Sequence, residues 1–236
     1  MQMNTLVVSG ASRRFGLLVA EHYLKLGWQV IALSRQSSPE LDTLVGKGVC
    51  WLACDYEDKA SVLTALKQIE EQVSSVQLLV HNASYFAVDS EELDAWDQLE
   101  RFNRVHVQAP ALINYRLQPL LTNLDQPGLI VHLSDIFADR PRAVHARYCA
   151  SKAALENLTK SLALKWAPGV RVNSIQPGPV KFLPSHSDAD RARVLGETPL
   201  GYEAGFEPLL KALEYLVDNQ FVTGSSLKVD GGRSIA

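Results

Sequence analysis

The residues of this chain best placed to do chemistry are Tyr148 and Lys152, in the run Tyr148-Cys149-Ala150-Ser151-Lys152. Four residues apart, a phenol and an ammonium stand one turn apart on the same face of a helix. A tyrosine of ordinary pKa ~10 exchanges protons more readily near neutral pH when a fixed cation favours its phenolate, so the pair reads as an acid/base unit. Such pairs also arise by chance on surface helices, and the weight of this one depends on its company.

A second run, Ser9-Gly10-Ala11-Ser12-Arg13-Arg14-Phe15-Gly16, follows an apolar stretch and opens a helical pattern. Strand, glycine turn and helix together offer free N–H groups to a pyrophosphate, with Gly10 permitting the tight turn and Gly16 close packing. Folds that prefer NAD usually place an acid at the end of the second strand for the ribose 2′-hydroxyl; here Ser34-Arg35 stands there. Arg35 suits a 2′-phosphate, and Arg13 adds charge beside it, so the expected cofactor is NADPH/NADP. As a plain strand end, Arg35 would be a solvated side chain. Asp55, in Cys54-Asp55-Tyr56, is read either as an acceptor for the adenine amino group or as a helix N-cap.

These groups need a frame, and the apolar pattern supplies one. Short apolar runs at Thr5–Ser9, Gln29–Ser34, Val49–Cys54, Leu78–His81, Leu129–Leu133, Val170–Ile175 and Ser226–Val229 read as strands buried on both faces. Helical periodicity lies between them, at Phe15–Leu26, Leu41–Val45, Lys59–Val73, Trp96–Leu121, Arg147–Trp166 and Pro208–Asp218. The alternation predicts an α/β fold: one Rossmann-like, doubly wound domain over residues 1–236 with a seven-stranded parallel sheet. Gly178–Gly205, rich in Pro, Gly, Ser and Asp, lacks periodicity and follows the sixth strand, so it is expected to be an irregular loop covering the substrate.

Composition narrows the function further. The chain has 236 residues, enough to bury a core without disulfides but too few for a separate substrate domain. With 23 Lys and Arg against 26 Asp and Glu the net charge is −3, and no basic block points to nucleic acid. No apolar run is long enough for a membrane span, and no signal-peptide pattern opens the chain, so a cytoplasmic location is expected. Cys50, Cys54 and Cys149 lack metal or disulfide spacing. His81, His106, His132 and His145 show no metal-binding pattern and are read as structural, with a functional reading kept open for His106.

In order and spacing, Gly10-x5-Gly16, Asp55, His81-Asn82-Ala83-Ser84, Tyr148-x3-Lys152, Asn173-Ser174-Ile175-Gln176-Pro177-Gly178 and Thr223-Gly224-x5-Asp230-Gly231-Gly232 resemble the short-chain dehydrogenase/reductase family along essentially the whole chain. The resemblance implies Tyr148 as catalytic acid/base and Lys152 bonding the nicotinamide ribose while lowering the tyrosine pKa. It implies cofactor contacts from Gly10, Ser12, Arg13, Arg14, Phe15, Gly16, Ser34, Arg35, Asp55, Tyr56, Asn82, Ala83, Ser84, Pro177, Gly178 and Val180. It also implies a homotetramer packed through the Trp96–Leu121 and Arg147–Trp166 helices and the C-terminal segment.

The departures point to one branch. Arg14 stands where the family has a third glycine, Asp135 where it has a catalytic serine 13 residues before the tyrosine, and His106 where it has an asparagine on the central helix. With Asn82-Ala83-Ser84-Tyr85-Phe86, this set is similar to the pteridine reductases. That likeness implies a dihydropterin substrate bound by Arg14, Ser84, Phe86, Asp135 and Tyr148, with Phe86 stacked on its ring opposite the nicotinamide. Either Asp135 faces the site, or Asp135 is a turn cap and Ser134 provides the hydroxyl, because neighbouring strand residues alternate. Phe86 could equally be core. A ketone or 3-oxoacyl reductase, and a non-enzymatic NADPH-binding sensor, are the competing functions.

Overall fold

A computed structural model describes residues 3–91, 95–122 and 125–236. Among them, seven strands form one sheet: β1 Thr5–Ser9, β2 Gln29–Ser34, β3 Cys50–Ala53, β4 Leu78–His81, β5 Gly128–Leu133, β6 Val170–Pro177 and β7 Ser226–Val229. All pairings are parallel, in the order β3-β2-β1-β4-β5-β6-β7. Every expected strand is present. β3 is trimmed at both ends, and β6 runs two residues further, through Gln176 and Pro177, because its pairing with β7 extends to Pro177↔Val229.

The sheet is hydrophobic on both faces because helices cover both. Side chains alternate along each strand: Leu6 and Val8 face one cluster and Val7 the other, and Val30 and Ala32 oppose Ile31 and Leu33 in the same way. One face packs against α1 Arg14–Lys25, α2 Pro39–Val45 and α8 Glu207–Asp218. The other packs against α3 Lys59–Gln72, α5 Ala109–Thr122 and α6 Ala146–Trp166. Local signals fix helix starts: Ser38 accepts the Leu41 N–H with Pro39 in the first turn, and Asp58 accepts from Ala60 and Ser61.

Two helical expectations are corrected. The Trp96–Leu121 helix is broken: α4 Ala95–Asn103 passes into a π-helical turn, Arg104–Gln108, before α5 begins. The wider turn accommodates an extra residue and rotates the buried face, which carries Val105 and His106 inward. Gly178–Gly205 is not wholly irregular, since it contains α7 Asp188–Gly196. That helix buries none of its residues, so it has no apolar stripe to be read; Ser187 caps it and Asp188 and Asp190 fill its first turn. Among the described residues, no helix is long and apolar enough to cross a membrane.

Candidate active site

β1 lies between β2 and β4, so the chain crosses to opposite sides of it and leaves a crevice at the strands' carboxyl ends. A cleft of about 1160 Å³ opens there and gathers most of the expected site residues. At one end Ser34, Arg35, Asp55 and Tyr56 line it; Gly10, Ser12, Arg13, Arg14 and Phe15 form its floor; Asn82, Ala83, Ser84, Asp135, Tyr148, Lys152, Pro177 and Val180 surround the other end. Gly16, Gly178 and Phe86 stand outside the lining.

The floor depends on backbone approach. Gly10 has φ +63°, and a Cβ there would sit 2.9 Å from Asn82 Nδ2; a Cβ on Gly16 would lie 2.4 Å from the Gly10 carbonyl. Asn82 explains the fit by donating to the carbonyls of Ser9 and Gly10, which ties β4 to the turn. Gly178 answers to packing instead, since a Cβ would meet Asp230 Cα at 2.6 Å. Arg14 holds φ +55°, which explains why a glycine would be at ease in its place. Its guanidinium donates to the Lys181 carbonyl at 2.6 Å and lies 5.1 Å from the Phe206 ring centroid, pinning the segment after β6 to the turn.

At the far end of the floor, Arg13 and Arg35 are exposed, and Arg35 lies 3.6 Å from Glu57, which also pairs with Arg101. Glu57 and Phe206 escaped sequence reasoning, because neither belongs to a spaced motif. Asp55 is not a helix N-cap: Asp58 fills that role, and Asp55 accepts from the Glu57 N–H.

At the other end, Tyr148 donates to Asp135 Oδ2 at 2.8 Å. Facing the cleft and capping a turn are not exclusive for Asp135, because Oδ1 also accepts the Phe137 N–H and caps the short turn after β5. Ser134 Oγ is buried without a hydrogen-bond partner. Lys152 is 2% exposed and donates to the Leu133 carbonyl at 2.9 Å. Phe86 is not core: it is 55% exposed and stands edge-on to Tyr148, 4.8 Å between centroids, at the rim.

Burial sets the electrostatics. It pushes the Tyr148 phenol well above its usual range, with Asp135 acting the same way. Lys152 Nζ lies 5.7 Å from the Tyr148 ring centroid, while the hydroxyl itself is bound to Asp135. Asp135 is itself raised by burial, against the pull of the Phe137 amide, Lys152 and Tyr148. Burial lowers Lys152 to about 8, opposed by Asp135 and Glu156. The arrangement can pass a proton between Tyr148 and Asp135 at the cleft wall, beside a buried cation.

A family model described as enoyl-(acyl carrier protein) reductase matches residues 10–234. A protein named dihydromonapterin reductase from Klebsiella pneumoniae is 32% identical over 235 residues, spanning 99% of this chain and 98% of its own. Another of that name from Escherichia coli is 32% identical over 232 residues, with 98% and 96% covered. The crystal structure of FolM Alternative dihydrofolate reductase 1 from Brucella canis, complexed with NADP, matches with a TM-score of 0.89 at 27% identity, covering 99% of this chain and 94% of that one. Fold, motif order and these matches agree, and the chain belongs to the short-chain dehydrogenase/reductase family.

Proposed function

We propose that this chain is an NADPH-dependent reductase of dihydropterins, acting principally on 7,8-dihydromonapterin and weakly on dihydrofolate. The observation that carries the reading is the Tyr148–Asp135 hydrogen bond at the end of the cleft. A carboxyl there serves a nitrogen heterocycle that must be protonated, where a ketone asks for a hydroxyl donor. The names of the full-length relatives and the NADP complex of the Brucella protein support it.

The cleft fits a dinucleotide. Its floor includes a glycine turn packed so closely on Asn82 and Ala83 that Gly10 admits no side chain, with the N-terminus of α1 behind it for a pyrophosphate. Arg13 and Arg35 stand exposed where a 2′-phosphate would lie, and Lys152, with Asn82 and Ala83 near it, would hold the nicotinamide end. When bound, NADPH supplies a hydride to C6 of the dihydropterin, and with one proton added at N5 the products are NADP⁺ and the tetrahydropterin.

The chain's own groups manage that proton. Tyr148 Oη holds it at the cleft wall, and Asp135 Oδ2 accepts from Oη and takes part in its resupply from solvent. Lys152, fixed by the Leu133 carbonyl, would hold the nicotinamide ribose and keep positive charge near it. Phe86 at the rim offers an aromatic face to a flat ring, Ser84 and Arg14 border the same space, and the segment 178–205, held by Arg14, covers the pterin's side chain.

The test is NADPH oxidation with dihydromonapterin, dihydrobiopterin and dihydrofolate. Turnover fastest on the first and slowest on the last is expected; no turnover with any of them overturns the reading. A second reading, reduction of a small ketone or 3-oxoacyl compound, rests on the unpartnered Ser134 Oγ beside the cleft. The proposal extends to a homotetramer through α5 and α6, where Tyr115 and Leu164 are exposed at 50% and 85%; sedimentation of the purified protein tests it.

A further inference from the structure

His106 occupies the π-helical turn, is 1% exposed, and stands where the family has an asparagine. Its Nε2 lies 2.9 Å from Ser84 Oγ and 3.3 Å from the Tyr85 backbone nitrogen, and its Nδ1 lies 2.8 Å from Ser151 Oγ. These neighbours decide its tautomer. A backbone N–H can only donate, so the Tyr85 amide requires a bare Nε2. The ring proton therefore sits on Nδ1 and is donated to Ser151, whose hydroxyl donates in turn to the Tyr148 carbonyl at 2.7 Å. Ser84, facing the same bare Nε2, must donate to it. Burial and the nearby Lys152 charge also disfavour a second proton on the ring.

The consequence lies in the cleft. With its hydrogen directed at His106, Ser84 Oγ turns only lone pairs toward the substrate space. We propose that His106 is a positioning residue that clamps the Ser84–Tyr85 turn to helix α6 at Tyr148, makes the Ser84 hydroxyl an acceptor, and so selects a substrate with an N–H-bearing edge. The inference rests on the dihydropterin reading and adds to it the polarity of one wall. It also gives the π turn a purpose, because a regular helix would place residue 106 at a different angle.

Two substitutions separate the ring's two nitrogens. In His106→Asn the amide stands near the Nδ1 position and keeps Ser151, but nothing reaches Ser84 or Tyr85; in His106→Gln the carbonyl oxygen reaches the Nε2 position. The expected result is a KM for dihydromonapterin raised roughly tenfold in His106→Asn, with kcat and the KM for NADPH within about threefold of wild type. His106→Gln should restore the KM to within about threefold. Equal kinetics in the two variants overturn the proposal, as does a change carried by kcat with a displaced pH profile, which would make His106 a proton-transfer group. A measurement independent of the variants' folding and of turnover is the long-range ¹H–¹⁵N spectrum of the wild-type imidazoles. A protonated Nδ1 and bare Nε2 at His106, unchanged between about pH 5.5 and 8, are expected; a proton on Nε2 overturns the proposal. If the wild type reduces no pterin, the functional reading fails while this spectrum still decides the tautomer.

Discussion

Two polar networks lie side by side between the sheet and α5 and α6, and they differ in how completely their hydrogen bonds close. One is sealed. The Tyr56 hydroxyl donates to His81 Nδ1 at 3.3 Å, His81 Nε2 to Asn114 Oδ1 at 2.7 Å, Asn114 Nδ2 to His132 Nε2 at 3.0 Å, and His132 Nδ1 to Thr159 Oγ1 at 2.8 Å. Thr159 then donates to the Leu155 carbonyl at 2.9 Å. Every link runs in one direction and each imidazole carries one proton, as a low-dielectric interior demands. The other network, Asp135, Tyr148, Lys152, Ser84, His106 and Ser151, is closed only at its back. On the cleft side Ser134 Oγ lacks a partner and Ser84 presents lone pairs. The same residue types build structure where the accounting closes and form a candidate site where it is left open for a ligand.

That contrast is tested by effects of decreasing size. The largest is expected from Tyr148→Phe, which should lower kcat about a thousandfold while leaving the melting temperature near wild type, because the lost hydroxyl serves the cleft more than the core. A melting temperature that collapses with kcat would erase the difference between the networks.

Acid exposes the sealed network next. Burial lowers His81 from 6.5 to about 4, and His132 moves the same way. Between those values the unfolded chain binds a proton that folded His81 refuses. Stability from this group is therefore complete above pH 6.5 and lost as pH falls toward 4, a loss of about 3 kcal/mol for His81 alone. Urea midpoints at stepped pH measure it, and a flat profile across that window would show that the chain opens to solvent.

Third, Asp135→Ala should reduce kcat/KM about a hundredfold, and Ser134→Ala by less than about threefold. The reverse ranking transfers the role to Ser134 and favours the ketone reading. The last effect lies outside both networks. Arg35 already has Glu57 at 3.6 Å, so Arg35→Ala should weaken the preference for NADPH over NADH only about tenfold, read from the two KM values.

Much of the frame was legible in the residues themselves. Strands β1, β2 and β4 begin and end where the apolar runs do, because a strand buried on both faces must be apolar nearly throughout. Helix α7 escaped because its signal is only a cap and two acids, with no buried face. The break at Arg104–Gln108 escaped because buried residues recur every three or four places on both sides of it, as they would along an unbroken helix. At the site, the motif residues were legible as a set, whereas Glu57, Phe206 and the roles of Ser151 and His106 were not.

The sequence by itself determined which groups exist and which element carries each: the glycine turn after β1, the Tyr148/Lys152 pair on one helix face, and an acid and a histidine at unusual positions. Those are one-dimensional facts, set by spacing along strands and helices whose periods are fixed. Only the tertiary structure decided that Asp135 caps a turn and receives the Tyr148 proton together, that Phe86 stands at the rim, and that His106 faces Ser84 and Ser151 at once. Such choices depend on the angle between elements far apart in the chain and on which nitrogen a single backbone N–H happens to face, and neither is written in any local pattern.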